Sequence, residues 1–344
     1  MLLKIKSPIV SRLILYKIVG ENKYMKLFKY NKIHQKKFDI SFKDYQYFIP
    51  IKIELIPVEP DKLKRTENYF INFKDKRHYY DIYFNDDNKV INKDYFTEND
   101  NVNKIKIHLK HKVDDLSELF YIQKYEELCG CDCIKEIKFT RFYNKYIEDM
   151  SCMFYGCSSV NKISFSEFQS ENVKNMSNMF HGCTSLYSVD LSKFNTEKVI
   201  NMNSMFSNCL SLREIDLTKF NTKNVVNMEN LFEGCVLLEK IKNFNFKTNN
   251  VTHMNSMFEN CSSLPFLDVT HFVTDKVVSF ENMFKNCYDL SYLDISCFEF
   301  KEDACIKQMF SCCNKYFKEE LKKQNEDLNE EAFQDDDNKK KPRI

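Results

Sequence analysis

The chain has 344 residues with 51 basic and 50 acidic side chains, a balance that gives no argument for nucleic acid or an anionic surface as partner. No apolar run reaches the roughly 18 residues that a membrane-spanning helix requires. Lys4, Lys6, Arg12 and Lys17 interrupt the N-terminal apolar segments and no small-residue cleavage site follows, so no signal peptide is read and a cytoplasmic location is expected.

Residues 1–49 read as helical. Ser7-Pro8 is a start signal, with Ser as N-cap and Pro at the first helical position, and Gly20 ends that segment. A second amphipathic stretch runs from Asn22 to Gln35. The start and the two short apolar helices are similar to an F-box, which implies docking to a ubiquitin ligase through residues 7–40. Residues 50–103 change character. Ile51, Ile53 and Leu55 alternate with polar residues as in a half-buried strand. Tyr69–Phe73 and Tyr79–Phe84 are aromatic-rich, and Asn85-Asp-Asp-Asn88 marks a turn. A small antiparallel β region is expected there, either structurally independent of the rest of the chain or packed on the first coil of the repeats.

Those repeats run from about residue 104 to 314. Met-Phe-x-x-Cys recurs from Met153/Cys157 through Met179/Cys183 and Met205/Cys209 to Met309/Cys313, in constant steps of 26 residues, with Leu231 replacing Met once. A fixed period of this length marks a stacked-coil protein. An irregular first coil over 104–144, in which Lys104–Leu109 alternates as a strand and Leu116–Leu128 reads as a helix-like first turn, precedes regular coils over 145–314. Eight of the fourteen cysteines, from Cys131 to Cys313, occupy one column. A free Cys behaves as a small buried hydrophobe, so the column reads as packing. Residues 315–344 supply a capping helix, with Tyr316, Phe317, Leu321, Leu328 and Phe333 as its apolar residues, and a charged tail.

Within each coil, Asp149, Asn175, Asn201, Asn227, His253 and Ser279 form a column of mostly N-cap residues. Met176, Met179, Phe180 and Cys183 then follow at offsets of one helical face. Gly130, Gly156, Gly182, Asn208, Gly234, Asn260 and Asn286 precede the cysteines. Gly and Asn tolerate the left-handed conformation that stops a helix, so a helix of about one and a half turns is predicted. The strand pattern L-x-x-L-x-L follows, as in Leu186/Val189/Leu191 and Leu212/Ile215/Leu217. One coil departs from it. Asn243 stands where neighbours have an inward apolar residue, and is expected to be hydrogen-bonded to backbone or displaced by a small bulge.

The columns Asn-Met-x-x-Met-Phe-x-x-Cys-x-x-Leu-x-x-Ile-Asp-Leu-Ser-x-Phe-Asn-Thr, clearest in Asn175–Thr196 and Asn201–Thr222, resemble the BspA-type leucine-rich repeat. The resemblance spans about 145–314. It implies an α/β solenoid of 26-residue repeats, with parallel strands on one face and short helices on the other. It also implies adhesion or protein binding as the role, with a cell-surface location as the alternative to the cytoplasm.

No arrangement of residues points to catalysis or to a cofactor, so a non-enzyme is expected. Cys129-x-Cys131-x-Cys133 near His108 and His111 is too closely spaced for the usual zinc site, and no metal is expected. The outward strand face is the candidate contact site. Asp190, Asp216, Asp268 and Asp294 would form a ladder of carboxylates about 5 Å apart, repelling by about 1 kcal/mol in water. A cationic partner would relieve that repulsion; alternatively each Asp bonds its adjacent turn residue (Ser192, Thr218, Thr270, Ser296). Phe266 and Tyr292 point outward by the same alternation and form the second part of the candidate site. The expected partner is a protein, with the ubiquitin-ligase adaptor and the surface adhesin as alternative readings.

Overall fold

Alternation over Ile51–Pro57 gives strand β1 in the computed structural model, with every second side chain buried. The structure describes residues 51–335 except 64, 75, 110–112, 114, 123–128, 143–145 and 167. The helices and F-box-like segment expected over residues 1–49 lie outside the described residues, as does the end of the charged tail. Strands β2 (Asn68–Tyr69), β3 (Tyr80–Phe84), β4 (Tyr95–Phe96) and β5 (Ile105–Leu109) follow β1. Next come β6 (Tyr121–Ile122), β7 (Cys129–Gly130) and β8 (Ile134–Arg141), then β9 (Lys162–Phe165), β10 (Ser188–Val189), β11 (Glu214–Asp216) and β12 (Lys240–Lys242).

A six-stranded sheet runs in the order β10-β9-β8-β1-β5-β3. β1 is antiparallel to both β5 and β8, pairing Ile53 with Ile107 on one side and with Phe139 on the other. Beyond β8 the pairing becomes parallel, with Ile137 opposite Ile163 and Ile163 opposite Val189. The N-terminal β region is therefore continuous with the repeats. The strand expected at Lys104–Leu109 exists, but as β5 between β1 and β3 rather than as the first repeat strand. Its burial alternates like that of a repeat strand, and alternation alone does not name a neighbour.

The repeats form a mostly β fold with little helix, and the short helices predicted in each coil are corrected. Among the described residues the one α-helix is α1 (Lys315–Gln324), outside the repeats. In the coil from Asn201 the backbone instead makes successive tight turns. Met205, Ser207 and Cys209 donate their N–H back to Met202, Ser204 and Phe206 at 3.2, 3.1 and 3.2 Å. The alternate N–H groups of Met202, Ser204, Phe206 and Asn208 donate to Asn227, Glu229, Leu231 and Glu233 in the next coil. Two residues enforce this course. Ser204 and Asn208 have φ of 53° and 58°, and a left-handed residue every fourth position cannot continue a right-handed helix. The Asn column still caps locally, since Asn201 Oδ1 accepts the Asn203 N–H at 3.0 Å and Asn175 Oδ1 that of Ser177 at 3.1 Å.

The turns bury the columns that the repeat displays. Phe154, Phe180, Phe206, Phe232, Phe258 and Phe284 stack in sequence, with Phe180–Phe206 centroids 5.3 Å apart and rings 5° from parallel. Cys183, Cys209, Cys235, Cys261 and Cys287 are wholly buried, and each thiol donates to the carbonyl of a Phe in the preceding coil, as Cys209 Sγ to Phe180 O at 3.2 Å. No described cysteine is in a disulfide. A further column pairs successive coils through buried hydroxyls. Thr222 Oγ1 donates to Lys247 O at 3.1 Å and accepts the Lys247 N–H at 2.7 Å; Ser170, Thr196, Thr248 and Thr274 repeat the arrangement.

Both ends of the stack are closed. In the last coil the outward N–H groups of Gln308 and Phe310 donate to Glu331 O and Ala332 O at 2.8 Å, and that of Cys312 to Asp335 Oδ1 at 2.6 Å. Phe333 stacks on Phe310 at 5.6 Å, and Phe317 and Leu321 of α1 are buried, so the tail covers the face that a further coil would have covered. Tyr316, expected in the apolar cap, is 78% exposed. In the first coil, Phe120 stacks on Phe154 and Cys131 keeps its column, while the antiparallel β6–β7 pair replaces the expected helix-like turn between them. Gly130 is in a strand there and lacks the positive φ of Gly156, Gly182 and Gly234. Its requirement is close approach: a Cβ would lie 2.0 Å from Tyr155 O and 2.5 Å from Cys157 N. Gly130→Ala is expected to lower stability by about 3 kcal/mol, the upper part of the overpacking range, as measured by urea unfolding. Ser158→Ala, on the rim of the next coil, should shift the midpoint little.

Candidate functional site

The outward face is built by the strand alternation. In β10 and the residue pairs after it, Val189 and Leu191 are buried while Ser188, Asp190 and Ser192 are exposed. Equivalent alternation places Asp216, Asp268 and Asp294 on the same side as Phe266 and Tyr292. Each carboxylate is held by the turn that follows it. Asp216 Oδ1 accepts the N–H of Thr218 at 2.9 Å and its hydroxyl at 2.5 Å. Asp268 Oδ1 accepts the same two groups of Thr270 at 3.1 and 2.7 Å, and Asp294 Oδ1 those of Ser296 at 3.0 and 2.7 Å. Asp190 Oδ1 accepts the Ser192 N–H at 2.9 Å. The turn hydroxyl first, and then the turn N–H, holds all four carboxyls below the usual carboxylate range.

A depressed carboxyl pKa in the folded state contributes stability above the unfolded value, near 3.8, and loses it as pH falls through the folded value. The Asp216 carboxyl is expected to titrate below 3.8 by NMR, and in Thr218→Ala its midpoint should move back upward. No movement would show that the Thr218 hydroxyl does not set it.

The ladder of four carboxylates is interrupted. Lys242 occupies the column between Asp216 and Asp268 and pairs with Glu214 at 2.7 Å. The structure therefore brings the Asp residues together as two pairs, Asp190 with Asp216 and Asp268 with Asp294. The adjoining Asn243 adopts φ 55°, turning its side chain outward to donate to Asp216 Oδ1 at 3.2 Å and Thr218 Oγ1 at 2.5 Å. Phe244, the next residue, packs inward against Phe246, Phe258 and Phe272. The Asn243 side chain thus bonds side chains of the preceding coil rather than backbone, and the irregularity is a rotation that exchanges two side chains between faces.

Phe266 and Tyr292 are paired. Their backbones form a parallel bridge and their rings stack at 5.9 Å and 16°, with 55% and 57% of each residue exposed. Sequence reasoning passed over Tyr187, which is 53% exposed just ahead of β10, and an apolar stripe of Ile200, Val226 and Val278 on another edge of the coils. The stripe was legible as the residue following each buried Val. Of the cysteine–histidine group near the first coil, His111 and the Cys129 side chain lie outside the described residues. Cys131 and Cys133 are buried with sulfurs 3.7 Å apart, and Cys133 Sγ donates to Tyr69 O at 3.2 Å. Burial pushes the Cys131 thiol well above its ordinary range. Among the described residues no three His, Cys, Asp or Glu side chains converge as a metal site would require, and no helix is long and apolar enough to cross a membrane.

A family model described as Mycoplasma protein of unknown function, DUF285, matches residues 114–244 and 213–324; neither match reaches the F-box-like segment, and that resemblance has no support. No curated protein matches the chain. Among solved structures, a leucine-rich repeat protein of T. pallidum (TpLRR) is similar at 18% identity, over 46% of this chain and 73% of that one, with a TM-score of 0.26. With the family model matched over more than half of its length, the chain belongs to this DUF285 family.

Proposed function

We propose that the chain is a non-catalytic protein-interaction scaffold: an open solenoid of 26-residue coils that binds a partner protein across its outward strand face. The observation that carries this reading is the Phe266–Tyr292 pair, two stacked rings more than half exposed in a fold whose Phe column is otherwise sealed. Exposed aromatic groups of this kind are where binding energy concentrates in protein interfaces. The polar side chains of the repeats support a scaffold over an enzyme, because they pair across adjacent coils, as Arg213 with Glu239 at 2.6 Å and Lys223 with Glu197 at 2.6 Å.

Photocrosslinking from position 292 tests it. A benzophenone amino acid there is expected to give discrete adducts in native cells, with none from position 316, where Tyr316 on the cap is more exposed still. Adducts from both positions, or from position 316 alone, would remove the strand face as the docking surface.

A further inference from the structure

The outward face is not uniform, and its differences select a ligand chemistry. Next to the stacked rings of Phe266 and Tyr292, two residues on in each strand segment, lie Asp268 and Asp294. Residues two apart on an extended chain stand on one face about 6.5 Å from each other. Each of these carboxylates uses Oδ1 for its own turn, and no donor among the described residues reaches Oδ2. The turns thereby fix the direction of the free oxygen. Asp190 and Asp216 have the same turn geometry, but their companions two residues earlier are Ser188 and Glu214, with no aromatic ring. Lys240 and Lys242 separate the two acidic pairs and close the aromatic one on its N-terminal side. On the C-terminal side, Gln324 of the cap seals the last strand segment, its amide bonding Leu293 O and its carbonyl the Ile295 N–H, each at 3.1 Å.

Resting on the scaffold reading above, we infer that the Phe266–Asp268 and Tyr292–Asp294 rows are an arginine-reading site, filled by an extended basic segment of the partner protein. A guanidinium lying on a ring face meets the ring quadrupole within about 6 Å of its centroid. Its planar fork can reach the free carboxylate oxygen beside that ring at the same time. Two rows in register accept two such side chains from one extended segment. An acidic segment or a phosphate backbone would meet the same carboxylates unfavourably, so charge complementarity excludes both as occupants.

Fluorescence anisotropy on the full chain tests this, with a labelled peptide of about eight residues alternating Arg and Thr as the probe and a Glu/Thr peptide of equal length as its counterpart. The Arg/Thr peptide is expected to bind and the Glu/Thr peptide not. Affinity should fall about tenfold in F266A/Y292A and again in D268N/D294N. D190N/D216N should bind as the unsubstituted chain does. These side chains are exposed, Asp294 being half-buried, and Asn keeps the turn acceptor, so an unchanged thermal midpoint verifies the fold in each variant. Equal losses in D190N/D216N, persistence of binding in F266A/Y292A, or no binding of the Arg/Thr peptide overturns the inference. If adducts still form from position 292 in that case, docking across this face stands and only its arginine chemistry fails. A Tyr292-dependent dimer in sedimentation, without peptide binding, would make a second copy of the chain the occupant and likewise overturn it.

Discussion

Thr222→Val is expected to destabilise the chain by about 2–6 kcal/mol, although it preserves side-chain shape and adds no clash. Thr222 is 1% exposed, and its hydroxyl serves both backbone groups of Lys247 in the next coil. A valine there leaves a buried N–H and a buried C=O without partners, at about 1–3 kcal/mol each. Thr222→Ser keeps both bonds and loses one methyl, so its cost should stay near 1 kcal/mol. Urea unfolding of the pair measures the difference. Equal midpoints for the Val and Ser variants would mean that the hydroxyl column does not join the coils.

Phe206→Ala is expected to cost about 3–5 kcal/mol, the range for removing a fully buried Phe. Its ring is sandwiched between Phe180 at 5.3 Å and Phe232 at 5.4 Å, so the cavity opens in the middle of the stack. In a quasi-one-dimensional fold each unit leans on its two neighbours, and the substitution should also make unfolding less cooperative. Phe333→Ala, at the end of the stack with Phe310 as its stacked partner at 5.6 Å, should cost less. Denaturant slopes and midpoints report both effects. A larger loss at Phe333 than at Phe206 would contradict stacking as the source of stability.

The buried columns were legible because a strict period shows which residues share an environment: Met179, Phe180 and Cys183 recur together and are buried together. The conformation carrying them was misread. Offsets of three, four and seven suit an α-helix, but they equally suit two linked turns that return to the same face. The deciding signal was a second left-handed column, Asn178, Ser204, Asn230, Ser256 and Asn282, four residues ahead of the Gly/Asn column. Its Asn and Ser residues were visible, and only their conformation was missing from the sequence. Similarly, the alternation of Ile105–Leu109 gave a strand without its neighbour, because register and direction are set by contacts distant along the chain.

On the candidate face, alternation placed Phe266, Tyr292 and the four Asp residues outward, and their separation into two acidic pairs comes from Lys242, visible in the sequence. What alternation could not supply was the stacking of the two rings or the rotation at Asn243. Both depend on how adjacent coils sit against each other.

Thiol footprinting of the native chain with iodoacetamide, read by mass spectrometry, bears most directly on the claim that successive coils bury these columns. Cys183, Cys209, Cys235, Cys261 and Cys287 are wholly buried, and burial holds each thiol well above its ordinary pKa. They should remain unmodified until denaturant is added, while the half-buried Cys152, Cys297, Cys305 and Cys312 are alkylated first. Alkylation of the column thiols in the native chain as fast as Cys312 would contradict the stacked fold.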